Sequence, residues 1–182
     1  MNIELVKPAM LALAGAVALA SSGGAVAHEP NEVDEWVQYS GMTTLSAGGL
    51  DITCRTTISG IIDVSTGNVF IFSVGGSSQD PNFSEQCANI YTGNLEWTAT
   101  LSNVGSNVSG TVSNIVPHNV NLPMVIIPAA GVNCLGPLTG TITYPDTITN
   151  GVPTRIQMNG LFSGGGNCTI QTIDNVGLEL KV

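Results

Sequence analysis

The chain has 182 residues, with 13 acidic residues against only 4 Lys or Arg, and a formal net charge of −9 at pH 7. Nucleic-acid affinity rests on clustered Lys and Arg against phosphate, so this balance excludes a nucleic-acid partner and disfavours anionic membrane surfaces. Charged residues make up 9% of the chain, against roughly a quarter in ordinary soluble domains, so Ser, Thr, Asn, Gly and Gln must supply the surface, in the manner of extracellular β-proteins.

The first 27 residues read as an export leader. Lys7 gives a short positive region, Ala9 to Ala20 form an uncharged run, and Ala25-Val26-Ala27 has the small-x-small form that signal peptidase cuts. That run of twelve residues is too short for a bilayer, and no second long run follows. A secreted bacterial protein without an integral membrane span is expected. Its mature part begins at His28, with a cut after Ala20 as the alternative. About 155 residues remain, the size of one domain.

Residues 28–45 read as an acidic N-terminal arm and residues 46–182 as a single β domain. "HEPNEVDEWVQYS" (28–40) holds four acidic residues, after which Val33, Glu35, Val37 and Tyr39 alternate onto one face. A solvated arm leading into the first strand fits this pattern. The sharper alternative is a strand that pairs with the edge of another subunit through Val33, Val37 and Tyr39.

Beyond the arm, helical periodicity is nearly absent, while Gly, Asn, Ser and Pro punctuate short runs of Val, Ile, Thr and Phe. Such runs are strands. In chain order the clearest are "GNVFIFSV" (67–74), "LEWTATLS" (95–102) and "RIQMNGLFS" (155–163). They predict an all-β fold, an antiparallel β-sandwich or partly open barrel. "ISGIID" (58–63), "VSGTVS" (108–113) and "LTGTIT" (138–143) share one signature, an apolar residue, a hydroxyl and a Gly before an alternating run. Gly inside a strand marks a bulge or a close backbone approach, so these read as recurring structural corners.

Cys54, Cys87, Cys134 and Cys168 are an even set in an exported chain, which reads as two disulfides. Spacing alone leaves three connectivities open. An internal repeat favours one of them: Gly60 follows Cys54 by six residues, as Gly140 follows Cys134, and each unit then runs to its second cysteine. Two equivalent units close two equivalent loops as Cys54–Cys87 and Cys134–Cys168. Each loop of this length contributes about 3–4 kcal/mol.

"NLPMVIIPAAG" (121–131) is apolar, uncharged and bounded by prolines. It reads as a strand buried on both faces, with Pro123 and Pro128 at its ends, where a missing N–H does least harm. The alternative is an exposed loop presenting Met124, Val125, Ile126 and Ile127 to a hydrophobic substrate, a cell surface or another copy.

Catalytic chemistry is sparse. No G-x-S-x-G elbow exposes a serine, no C-x-x-C offers a zinc or dithiol site, and no Lys follows the "GGG" at 164–166 to hold phosphate. Trp97 beside Glu96 suggests a sugar platform, but a strand Trp reads first as core. His28, at the new amino terminus, would chelate copper with His118, a weak reading because His118 sits in a turn-like "VPHNV". No enzyme, cofactor or metal is expected.

"CRTTISGIIDVSTGNVFIFSV" from Cys54, then Cys87, "LEWTATL", "NVSGTVSNI" and "CLGPLTGTIT" together resemble the PraB-like family of secreted proteins, described as protein activators of alkane oxidation. The resemblance covers roughly residues 50–182 and places Cys54, Gly60, Cys87, Trp97, Cys134, Gly140 and Cys168 in the family's order. It implies a non-catalytic extracellular protein that helps cells use hydrophobic substrates, by emulsifying them or altering surfaces. It leaves the acidic arm unmatched. A self-assembling fibre or biofilm-matrix subunit, joined through the N-terminal strand, is the alternative drawn from the charge-poor β composition.

Overall fold

A computed structural model describes residues 34–77, 85–103, 108–147, 151–173 and 177–181. The leader, Val33 and His28 lie outside these residues. Two long strands open the fold, β1 (Asp34–Ala47) and β2 (Leu50–Asp63), paired residue for residue from Asp34↔Asp63 to Ala47↔Leu50. Gly48 and Gly49 form the two-residue turn between them, both at positive φ (57° and 82°). Only Gly adopts that pair without strain, and the mirror-image turn it allows matches the twist of the hairpin.

The chain continues through β3 (Asn68–Ser77), β4 (Tyr91–Thr92), β5 (Trp97–Thr100), β6 (Gly110–Thr111), β7 (Val116–Pro117), β8 (Pro123–Ile127) and β9 (Val132–Leu135). It ends with β10 (Leu138–Tyr144), β11 (Arg155–Phe162), β12 (Thr169–Thr172) and β13 (Leu178–Lys181). The main sheet runs β6-β10-β11-β12-β1-β2-β3-β5-β7, with β13 pairing β1 and β11, and β4-β8-β9 form a second sheet. Among the described residues the strand pairings of both sheets are antiparallel.

The two ends of the main sheet are one stretch of chain. Between β6 and β7, Val112 bridges Leu101 and donates its N–H to Ile142, while Ile115 and Leu138 exchange N–H bonds at 2.9 Å. Residues 110–117 therefore join the β10 side to the β5 side and curl the sheet into a closed, irregular barrel. Of the two architectures expected from sequence, the barrel is the one formed, and it is more closed than expected.

Alternation sets what lies inside. Val37, Tyr39, Thr43, Leu45 and Ala47 of β1 point inward and are buried. They meet Ile52, Cys54, Ile62, Ile71, Ile142, Met158, Phe162 and Leu178 from the other strands in one apolar cluster. Thr43 and Thr56, the buried hydroxyls on this face, bond each other at 2.7 Å, which removes most of the cost of burying them. The outward side chains are mostly Ser, Thr and Gln, as in the pairs Thr44–Thr53 (3.0 Å) and Thr57–Ser40 (3.1 Å). An apolar interior with a hydroxyl exterior is the reverse of a lipid-facing barrel. No helix among the described residues is long and apolar enough to cross a membrane.

The boundary expected at residue 45 falls inside β1, which is continuous from Asp34. The alternating stretch belongs to the barrel because β1 is flanked by β2 on one side and by β13 (at Gln38–Ser40) and β12 (at Thr43–Ser46) on the other. Val37 and Tyr39 accordingly face the core, and the Tyr39 hydroxyl donates to the Pro153 carbonyl at 2.8 Å. Burial pushes that phenol's pKa far above its ordinary value.

Both disulfides form with the expected pairing, Cys54–Cys87 and Cys134–Cys168. All four cysteines are buried. The shared glycine signature also has a structural cause. Gly60 sits at a register shift against β3, where a Cβ would meet the Phe70 carbonyl at 2.2 Å.

Candidate functional site

The segment 121–131 lies in the small sheet that covers one end of the barrel. Pro123 opens β8, and Pro128 begins the helical turn that follows, so each proline stands where the strand needs no further N–H donor. Met124, Val125 and Ile127 are buried at 0%, 5% and 1% exposure. The core reading fits these three side chains. Ile126 differs: a register shift between Pro123 and Val125 reorients the strand, and Ile126 turns outward at 36% exposure.

Ile126 stands directly opposite Tyr91 of β4, itself 55% exposed. The two form a cross-strand apolar pair on the outer face of the small sheet. The loop that precedes β8 adds Val120 and Leu122, each about half exposed (49% and 47%). These four side chains belong to an assembly with little freedom. Asn94 accepts the Asn119 N–H at 2.9 Å and donates to the carbonyls of Asn119 and Leu122. The Gly93 N–H bonds the Met124 carbonyl at 3.0 Å, and the buried Trp97 donates its ring N–H to the Gly93 carbonyl at 3.0 Å. Thr92 reaches the Val74 carbonyl at 2.6 Å, tying β4 to the barrel wall. The Cys134–Cys168 bridge ties β9, the strand paired with β8, to the start of β12 in the main sheet.

Of the residues singled out from sequence as a possible interface, Ile126 alone is exposed in the described structure. Val37, Tyr39, Met124, Val125 and Ile127 are buried, and Val33 lies outside the described residues. Tyr91 and Val120 carried little signal, because each sits in a short polar context such as "NIYTG" that reads as loop, and Leu122, at the start of 121–131, was not separated from the core strand. Trp97, weighed as a sugar platform, is 4% exposed and structural.

The barrel interior holds an apolar cavity lined by Val37, Tyr39, Ile71, Leu101, Ile142 and Met158 among others, with a volume of about 40 Å³. Sites that enclose a small-molecule ligand run to roughly 300–1,000 Å³. A long hydrocarbon does not fit inside, so any contact with one is made at the surface. Among the described residues no group of three or more His, Cys, Asp or Glu is placed to hold a metal ion. His118 sits in the Asn94-pinned loop, and His28 lies outside the described residues. The Asp63 carboxylate, held at a pKa of about 2 by hydrogen bonds from Ser65 and Thr66, caps the turn after β2.

The family model described as alkane oxidation protein activator PraA/PraB-like matches residues 1–180. No curated protein and no solved structure matches the chain. With nearly its whole length matched, the chain belongs to the PraA/PraB-like family of alkane oxidation protein activators.

Proposed function

We propose that the chain promotes alkane oxidation without catalysing it, by adsorbing from outside the cell onto hydrophobic substrate or onto the cell surface. The observation that carries this reading is the exposed Tyr91–Ile126 pair, with Val120 and Leu122 on the loop pinned beside it. If these four side chains bury about 200 Å² of apolar surface, the gain is roughly 5 kcal/mol before the costs of association. That supports reversible adsorption. The rigid, disulfide-closed scaffold supports it further, because an ordered protein loses little freedom on adsorbing.

The test uses the mature chain and hexadecane. Depletion of protein from water on shaking with hexadecane, and the fall in interfacial tension, are measured for the native chain and for Tyr91→Ser with Ile126→Ser. The native chain is expected to be depleted and to lower the tension, and the double variant to do so far less while melting at nearly the same temperature. An unchanged hexadecane–water tension with the native chain ends the proposal.

A further inference from the structure

The outer face of the barrel carries a second site, made of different residues on the other sheet. Trp36 of β1 is 69% exposed, the most exposed large apolar side chain among the described residues. It begins a row that runs across four strands, Trp36↔Ile61↔Phe70↔Thr98. Phe72 lies against Trp36 with ring centroids 6.0 Å apart and planes tilted by 39°. Ile61, between Trp36 and Phe70, is fully buried yet stands apart from the main core cluster. The aromatic rings thus sit on their own small apolar base, on the face away from the barrel interior.

The next outward row along the strands is Gln38↔Ser59↔Ser73. It lies about 7 Å from the aromatic row, two residues further along. Gln38 donates to the Ser59 hydroxyl at 3.2 Å, and Gln38 and Ser73 are exposed. On the opposite side the platform ends at the cross-strand pair Asp34↔Asp63, whose Asp63 carboxylate is buried and taken up by Ser65 and Thr66. An exposed ring is therefore flanked by amide and hydroxyl groups.

We propose that this face binds a neutral polysaccharide. A sugar ring has an apolar face that lies on an aromatic ring and an edge of hydroxyls that donate and accept, so both rows are satisfied at once. Hydrocarbon satisfies only the rings, and its approach would strip water from Gln38, Ser59 and Ser73 with nothing to replace it. A chain of net charge −9 repels uronate-bearing polymers and so favours uncharged ones. The site goes beyond the proposed adsorption to hydrophobic material and shares no side chain with the Tyr91–Ile126 surface.

Electrophoresis of the native mature chain through gels containing hydroxyethylcellulose, galactomannan or alginate tests the site. Retardation is expected in at least one neutral gel and not in alginate. Trp36→Ala, with an unchanged melting curve, is expected to weaken the retardation about tenfold, the scale of losing one stacked ring. Tyr91→Ser with Ile126→Ser should leave the retardation intact and reduce hexadecane adsorption only. If Trp36→Ala lowers the melting temperature, Phe72→Leu and selective oxidation of the exposed Trp36 in the native protein replace it. The proposal is overturned by absence of retardation in both neutral gels, by retardation insensitive to all Trp36 and Phe72 changes, or by a Trp36→Ala chain that loses hexadecane adsorption but keeps its mobility shift.

Discussion

The side chain of Asn94 holds the backbone of Asn119 from two sides, accepting its N–H at 2.9 Å and donating to its carbonyl, across 25 residues of sequence. Asn94 also sits at φ 56°, a left-handed conformation that Asn tolerates better than most residues. One residue therefore both turns the chain after β4 and fixes the loop that carries Val120 and Leu122.

Asn94→Gly separates those two roles, since Gly keeps the backbone conformation and loses the clamp. The variant is expected to fold, with stability reduced by about 1–2 kcal/mol, and to adsorb to hexadecane more weakly as Val120 and Leu122 lose their fixed positions. Chemical denaturation and the interfacial-tension assay measure the two effects. Unchanged adsorption would show that the loop contributes nothing to the surface.

Neighbouring residues of β8 should behave oppositely. Val125→Ser places a hydroxyl in the core and is expected to cost about 2–3 kcal/mol. Ile126→Ser changes an exposed position and should alter stability by no more than about 0.5 kcal/mol while lowering adsorption. Urea midpoints for both variants check the assignment. Equal destabilisation by the two would contradict the outward turn of Ile126.

Asp63 predicts an acid limb in the stability profile. Its carboxylate accepts the Ser65 hydroxyl and the Thr66 hydroxyl, each at 2.6 Å, and the backbone N–H groups of both residues. These bonds lower its pKa from 3.8 to about 2 in the folded chain. A depressed folded value means that the bonds contribute fully above the unfolded pKa and are lost as pH falls toward about 2. The melting temperature should therefore fall between about pH 4 and pH 2, and Asp63→Asn should flatten that part of the curve. A native chain and an Asp63→Asn chain with parallel profiles would refute the assignment.

Some of this was legible in sequence for local reasons. The cysteine pairing followed from two units of nearly equal length, separated by 33 and 34 residues in the folded chain as in the repeat. The strands around Phe70, Trp97 and Met158 followed from alternation. What stayed hidden depends on pairings distant in sequence. The face shared by Val37 and Tyr39 was readable, but its destination was not, because β12 and β13 lie at the far end of the chain. Ile126 was named from sequence, but its outward turn could not be told from its buried neighbours, because one register shift reorients β8. Tyr91 escaped notice because a two-residue strand has no period to read, and the barrel closure because residues 110–117 resemble a loop.

The antiparallel register that sets Gln38 opposite Lys181 has a consequence for how the molecule is made. A chain synthesised from its N-terminus cannot complete the surroundings of its first strand until β13 has been made. Until then Val37 and Tyr39 have no full core to enter, and pairing across so long a span is slow. Only a chain that holds both β1 and β13 buries Val37 and Tyr39 behind a completed wall.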